Sequence, residues 1–159
     1  MFVGNSPTWN GALLASAAAP ALKALYFQAG PWGPWASDTP GHKAMRDALG
    51  TPATINDGYT AGWVWQYPLK AALLKAAQNK DLTRAGLVAA AKSLTSVDYE
   101  GMLPPEAGNY AGGAADQYKA SVISKPDSSA PSGVSVVQPL TVGPTAKSFS
   151  LTKPCYQSA

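Results

Sequence analysis

The stretch INDGYTAGWVWQYPLKAALLKAA, residues 55–77, decides how this chain is read. Its first half carries Tyr59, Trp63, Trp65 and Tyr67, its middle carries Pro68, and its second half is an ordinary Ala/Leu/Lys helix. Asn56 or Asp57 serves as the N-cap, since a short polar side chain accepts from an amide that the first turn leaves without a partner. From there Tyr59, Trp63 and Tyr67 recur at i, i+4 and i+8 and form one stripe, with Trp65, Leu69, Ala72 and Leu73 on a neighbouring stripe. Lys70, Lys75 and Lys80 fall on or near the polar side. Pro68 removes the backbone bond to the carbonyl of Val64 and predicts a kink, because an interior proline otherwise costs ~3 kcal/mol.

Working outward, Thr83 caps a second helix over LTRAGLVAAAKSL, with Leu82 stapled to Leu87 and a buried face of Leu87, Val88, Ala91 and Leu94. Upstream, Thr39 followed by Pro40 starts a short helix that ends at Gly50. PWGPWASDTPG is too dense in proline and glycine for regular structure. ALYFQAG reads as a strand and the opening MFV as the end of a buried strand, with GNSPTW as the loop leaving it. Between them, NGALLASAAAPALKA reads as a short helix stopped near Pro20. Downstream, SVDYEGMLPPEAGNYAGG is a turn-rich crossing. SVISK and GVSVVQPL alternate as two short strands, and the tail from Thr141 is irregular. The order is strand, helix, strand, three helices, two strands, which is α/β, with no internal repeat and no linker.

The totals exclude several functions. The chain has 159 residues, enough for one domain that buries about 70% of its unfolded surface. It is 46% hydrophobic and only 13% charged, which suits a secreted protein better than a cytosolic one. The twelve Lys and Arg are scattered, so there is no basic stripe for nucleic acid. No stretch reaches the ~20 apolar residues that span a bilayer. GALLASAAAPA has the small apolar character of a signal region but no preceding Lys or Arg. Cys155 is the single cysteine, and so a free thiol or one whose partner lies elsewhere.

Catalytic parts are few. His42 is the one histidine, placed early in a helix and read as solvent-facing. There is no G-x-S-x-G elbow, phosphate-binding glycine loop or metal-ligand spacing. Asp98 and Glu100 read as a solvated turn. The reading is a non-enzyme without cofactor or metal. The aromatics Trp9, Trp32, Trp35, Tyr59, Trp63, Trp65, Tyr67, Tyr99 and Tyr110 sit in loops or at element ends. Core packing explains most of them, while some can line a small-molecule cleft. Ser6 and Thr8 follow a strand, where open α/β sheets bind ligands.

Five segments in order, MFVGNSPTW, LYFQAGPWG, DGYTAGWVWQYPLKAALLKA, DLTRAGLVAAAKSL and VDYEGMLPP, resemble the C-terminal portion of periplasmic substrate-binding proteins of ABC transporters. The type is the leucine/isoleucine/valine-binding one, and the resemblance runs from residue 1 to about residue 140. It implies part of a two-lobed periplasmic-binding-protein type I fold with three-layer α/β/α lobes, incomplete in this chain. Residues 1–24 would be a remnant of lobe 2, 25–98 the return segment in lobe 1, and 99–159 the final crossing strands and tail. Met1 would be internal to the longer pattern, and a sheet without its central strands would expose edges and apolar faces.

The resemblance makes Tyr59 a cleft-lining tyrosine and makes Asn5, Ser6, Thr8 and Trp9 candidates in the loop that reaches the ligand. Ser6 stands where the leucine-binding pattern has an acidic residue for the substrate ammonium, a departure from a simple α-amino acid site. The implied role is extracytoplasmic, periplasmic binding of a small-molecule ligand: a branched-chain amino acid or a related amide or small organic compound. The implied partners are ABC transporter permease subunits, with membrane contact only through the transporter or a lipid anchor outside this chain. The alternatives are a ligand-sensing domain of the same fold that signals to a protein partner, a structural protein, and a fragment without function.

Overall fold

The computed structural model describes residues 1–6, 8–111 and 118–150; Cys155 lies outside them. Four strands, β1 (Phe2–Asn5), β2 (Tyr26–Gly30), β3 (Ser121–Pro126) and β4 (Val134–Thr141), form one sheet in the order β1-β2-β3-β4. β1 and β2 are parallel, with Gly4 opposite Gln28. The parallel pair needs a crossover, which a 3-10 turn (Gly11–Ala15) and helix α1 (Ala19–Leu25) supply. β2 with β3, and β3 with β4, are antiparallel, with Gln28 opposite Ser124.

Pro20 does not stop a helix. It stands in the first turn of α1, where its missing N–H has no helical partner to lose. Among its described residues the tail also holds a short helix, α5 (Pro144–Ser148), again opened by a proline.

A second layer consists of helices α2 (Pro40–Leu49), α3 (Asp57–Gln78) and α4 (Arg84–Lys92). Each begins on a side-chain cap: Thr39 accepts from the His42 amide, Asn56 from Gly58 and Thr83 from Gly86. α3 runs through Pro68 as one helix of 22 residues. The main core lies within this layer. It joins Trp32 and Trp35 from the loop after β2, Met45 from α2, and Val64 and Tyr67 from α3 to Tyr99 and Met102 from the segment after α4. Each such side chain, once buried, contributes roughly 1.5–3 kcal/mol.

α4 lies along α3 through small residues. Gly86 and Ala90 are its buried positions, facing a helix whose buried residues there are Ala72 and Ala76. The predicted face of Leu87, Val88, Ala91 and Leu94 is therefore only partly buried: Leu87 and Leu94 are half-buried, Leu94 against the main core, and Ala91 is exposed. Val88 is exposed, and Leu82 is too exposed to act as a staple. Asp81 orders that helix start instead, accepting from the Thr83 amide and hydroxyl. On α3, Trp65, Leu69 and Leu73 are exposed, leaving Ala72 as the buried member of that stripe. The opening strand is not buried either: β1 lies on the edge of the sheet, and Phe2 and Val3 are exposed there.

Candidate functional site

The sheet and the helical layer meet at the first turn of α3. Asn56 already supplies the cap, so the neighbouring Asp57 carboxylate is free to make tertiary contacts. Its Oδ2 accepts from Ser6 Oγ at 3.1 Å, and its Oδ1 accepts from Trp32 Nε1 at 3.3 Å. One carboxylate thus ties together the loop after β1, the loop after β2 and α3. Burial pushes the Asp57 carboxyl above its ordinary range, with the two hydrogen bonds opposing. Behind Trp32, Asp57 borders a crevice of about 10 Å3 walled by Gln28, Gly30, Pro34, Val122 and Ser124.

The sequence candidates divide here. Ser6 reaches Asp57, and Tyr59 sits half-buried in the same first turn, its ring edge-on to Trp35 at 5.8 Å between centroids. Thr8 and Trp9 turn elsewhere. The Thr8 hydroxyl lies 3.0 Å from the Tyr26 hydroxyl, and Trp9 stacks on Tyr26 at 5.3 Å. Trp9 is buried and donates to the Ser132 carbonyl at 3.2 Å. Gly4 leaves the space that the Tyr26 hydroxyl occupies, so any side chain there would collide with it. Asn5 is exposed, and its carbonyl accepts from the Thr8 amide at 2.7 Å.

His42 is not solvent-facing. It is 1% exposed, with Nδ1 at 2.8 Å from Thr39 Oγ1 and Nε2 at 3.1 Å from the Gly33 carbonyl. The Nε2–H donates to that carbonyl and Nδ1 accepts from the hydroxyl, which is the neutral ring. Burial lowers the pKa and favours that state. His42 therefore pins α2 to the loop after β2. Beside it, a hollow of about 200 Å3 separates the helices from β3 and β4, bordered by Thr39, Met102, Val122 and Leu140.

The two chain segments that link the layers touch at Gly41, whose amide donates to the Glu100 carbonyl at 2.8 Å. Glu100 and Gly101 are both left-handed, with φ of 51° and 77°. The Glu100 carboxylate accepts from the Tyr67 hydroxyl at 2.8 Å and from Lys70 at 3.0 Å. Asp98 and Glu100 do form a turn, but Glu100 is tied down on α3 rather than solvated. A surface hollow of about 330 Å3 opens beside this cluster, bordered by Trp63, Gln66 and Ala44.

Asp57, Gln28 and Ser124 are missing from the sequence candidates, and Trp32 stood there only as one of the aromatics that can line a cleft. Asp57 had one legible signal, the pair of capping residues Asn56-Asp57 where a helix needs one. Gln28 and Ser124 had none, because their proximity depends on which strands pair. Among the described residues no group of three or more His, Cys, Asp or Glu is placed to hold a metal. Nor is any described helix long and apolar enough to cross a membrane.

The α/β architecture matches part of the periplasmic-binding-protein type I fold. The structure is similar to a fatty acid ABC transporter substrate-binding protein from Thermomonospora curvata. The TM-score is 0.75 and the identity 28%, over 92% of this chain and 38% of that one. It is also similar to a branched-chain amino acid ABC transporter protein from Thermus thermophilus, solved with bound valine. There the TM-score is 0.65 and the identity 15%, over 91% of this chain and 40% of that one, a likeness of fold. The chain thus spans about two fifths of the length of these neighbours. No protein-family model matches the sequence, and no curated protein matches it.

Proposed function

We propose that this chain forms part of an extracytoplasmic solute-binding protein of an ABC importer. Its solute is a branched-chain amino acid or a related amide or small organic compound, held where the sheet-bearing layer meets the helical layer. The observation that carries the proposal is the Ser6–Asp57 hydrogen bond. It joins the loop after β1 to the first turn of α3, the two segments that the sequence resemblance assigns to the ligand. The neighbours support the reading, one being a fatty acid ABC transporter substrate-binding protein and the other a branched-chain amino acid ABC transporter protein solved with bound valine. Ser6 and Tyr59 contribute from the two sides of the junction, with Asn5, Thr8 and Trp9 shaping the loop that carries Ser6. The segments between the layers act as the pivot, and the closed form is presented to permease subunits. In domain terms, residues 1–24 belong to lobe 2, 25–98 return through lobe 1 and 99–159 cross back.

Calorimetry on the protein expressed from its entire reading frame tests this, with valine, leucine, an aliphatic amide and a long-chain fatty acid as titrants. Saturable binding of one of them, weakened by Tyr59→Ala while the circular dichroism spectrum is retained, is the expected result. Unchanged affinity in that variant would remove Tyr59 from the site. No binding of any titrant would remove the function.

A further inference from the structure

The hollow beside His42, about 200 Å3 between the helical layer and strands β3 and β4, differs in chemistry from the junction at Asp57. Its outer wall comes from an irregular ladder. Ser121 pairs with Thr141 and Ile123 with Gln138, so Val122 faces two residues of β4, Pro139 and Leu140. Such a bulge bends the strand and re-aims its side chains, and proline suits it because it has no N–H to give the ladder. All three residues border the hollow, with Val136 further along β4. Met102, buried like Val122, closes it from the segment after α4.

The walls carry no charge. None of the bordering residues is Asp, Glu, Lys or Arg. Arg46, on the same helix as His42, directs its guanidinium to the carbonyls of Trp35 and Ser37 at 2.7 and 2.9 Å. Glu100, next to the bordering Gly101, is bound to Tyr67 and Lys70. His42 is neutral, with both ring nitrogens engaged. The other polar side chains on the wall are the hydroxyls of Ser37 and Thr39. A charged occupant would lose water and gain no counter-charge, which is costly, so the walls select a neutral one. The volume sets its size. An apolar cavity of about 150 Å3 holds benzene, so this hollow suits a molecule built on one six-membered ring.

We propose that this hollow is a binding site for a compact neutral molecule, a single six-membered ring bearing at most a hydroxyl. Met102, Val122 and Leu140 hold the ring, and Ser37 or Thr39 meets the hydroxyl. The site is separate from the solute site proposed above, because Asn5, Ser6, Thr8, Trp9 and Tyr59 do not border it.

Cyclohexanol, cyclohexanecarboxylate and cyclohexylammonium present one ring in three charge states. Titrated into the protein expressed from its entire reading frame, cyclohexanol should bind saturably with a Kd on the order of 1 mM. It should shift the Met102 methyl resonance more than that of Met45, which is buried but does not border the hollow. The two charged analogues should bind at least about tenfold more weakly. Val136 is exposed and borders the hollow, so Val136→Phe should fill the space without disturbing the core and abolish cyclohexanol binding. Leu140→Phe decides the matter if Val136→Phe fails to fold. No saturable binding of cyclohexanol, equal binding of a charged analogue, a larger shift at Met45 than at Met102, or binding that survives in a folded variant would overturn the site. None of these results bears on the solute-binding reading, which stands or falls on its own titrants and on Tyr59→Ala.

Discussion

The Tyr67 hydroxyl donates to Glu100 Oε2 at 2.8 Å and holds down a residue whose backbone is left-handed, with φ of 51°. Trp63 Nε1 donates to the same Tyr67 oxygen at 3.2 Å, and Lys70 reaches Glu100 Oε1 at 3.0 Å. The aromatic stripe of α3 therefore ends on a carboxylate of the returning chain. A non-glycine residue pays about 1–2 kcal/mol for such a backbone, so these side-chain contacts have strain to offset.

Two substitutions separate the contacts from the strain. Glu100→Ala loses the hydrogen bonds and keeps the strain, whereas Glu100→Gly loses both. Glycine also gains freedom in the unfolded chain, which reduces its advantage. Glu100→Gly should still be the more stable of the two by roughly 0.5–1 kcal/mol in urea unfolding. Equal midpoints would show that the segment relaxes around alanine.

The acidic groups at the two junctions should respond to pH in opposite senses. Lys70 first, and Tyr67 next, hold the Glu100 carboxyl below its ordinary value of 4.5. The folded state then binds fewer protons than the unfolded one, so this stabilisation is present above about pH 4.5 and is lost as pH falls through the folded value. Burial raises Asp57 above 3.8, so its folded state holds the proton longer and its contribution declines as pH rises through the raised value. Glu100→Gln should flatten the acid side of a Tm-versus-pH curve. Asp57→Asn should raise Tm at neutral pH relative to the unsubstituted protein, and a lower Tm there would contradict the burial argument.

His42→Ala should cost about 2–4 kcal/mol, from a cavity in the core and two unpartnered groups at Thr39 and Gly33. Because burial depresses its pKa, the folded state resists protonation. The stabilisation from neutral His42 is complete above the ordinary value of 6.5 and declines as pH falls from there toward the folded value. Thermal melts of both proteins between pH 5 and 8 check this, and parallel curves would exclude His42 as the source.

The α3–α4 contact should not tolerate bulk. Ala90 is 0% exposed, so Ala90→Leu should cost about 1–3 kcal/mol by overpacking. The exposed neighbour Ala89→Leu should lie within about 0.5 kcal/mol of the parent. Equal losses at the two positions would place the contact elsewhere.

Trp65 and Leu69 form an exposed apolar ridge on α3, at 67% and 47% exposure. Contiguous apolar surface of this kind promotes association. Replacing both by serine should reduce self-association in sedimentation velocity at unchanged helix content. Association that persists would assign it to another surface, such as the exposed β1 edge at Phe2 and Val3.

Local chemistry was legible. Thr39, Asn56 and Thr83 cap helices in the structure as their side chains dictate, because a cap needs only amides two or three residues away. Pro20 shows the limit of such signals, since one missing N–H can end a helix or open one and the residues on either side decide. The α4 face was misread because hydrophobicity ranks leucine and valine above glycine and alanine. A close helix contact instead selects small residues, and its partner is not visible in the sequence of α4.

The sequence by itself determined the α/β element order, the helix starts, and the aromatic stripe Tyr59, Trp63 and Tyr67, since these follow from interactions spanning a few residues. It also carried the loop after β1 with Ser6 and the first turn of α3 with Tyr59 as the places to look for a ligand. Tertiary structure alone decided that Asp57 meets Ser6 across 51 residues, that Gln28 faces Ser124, and that His42 is a buried pin. Those relationships depend on strand order and on how the layers meet. Long-range packing sets both, and no short pattern of residues encodes it.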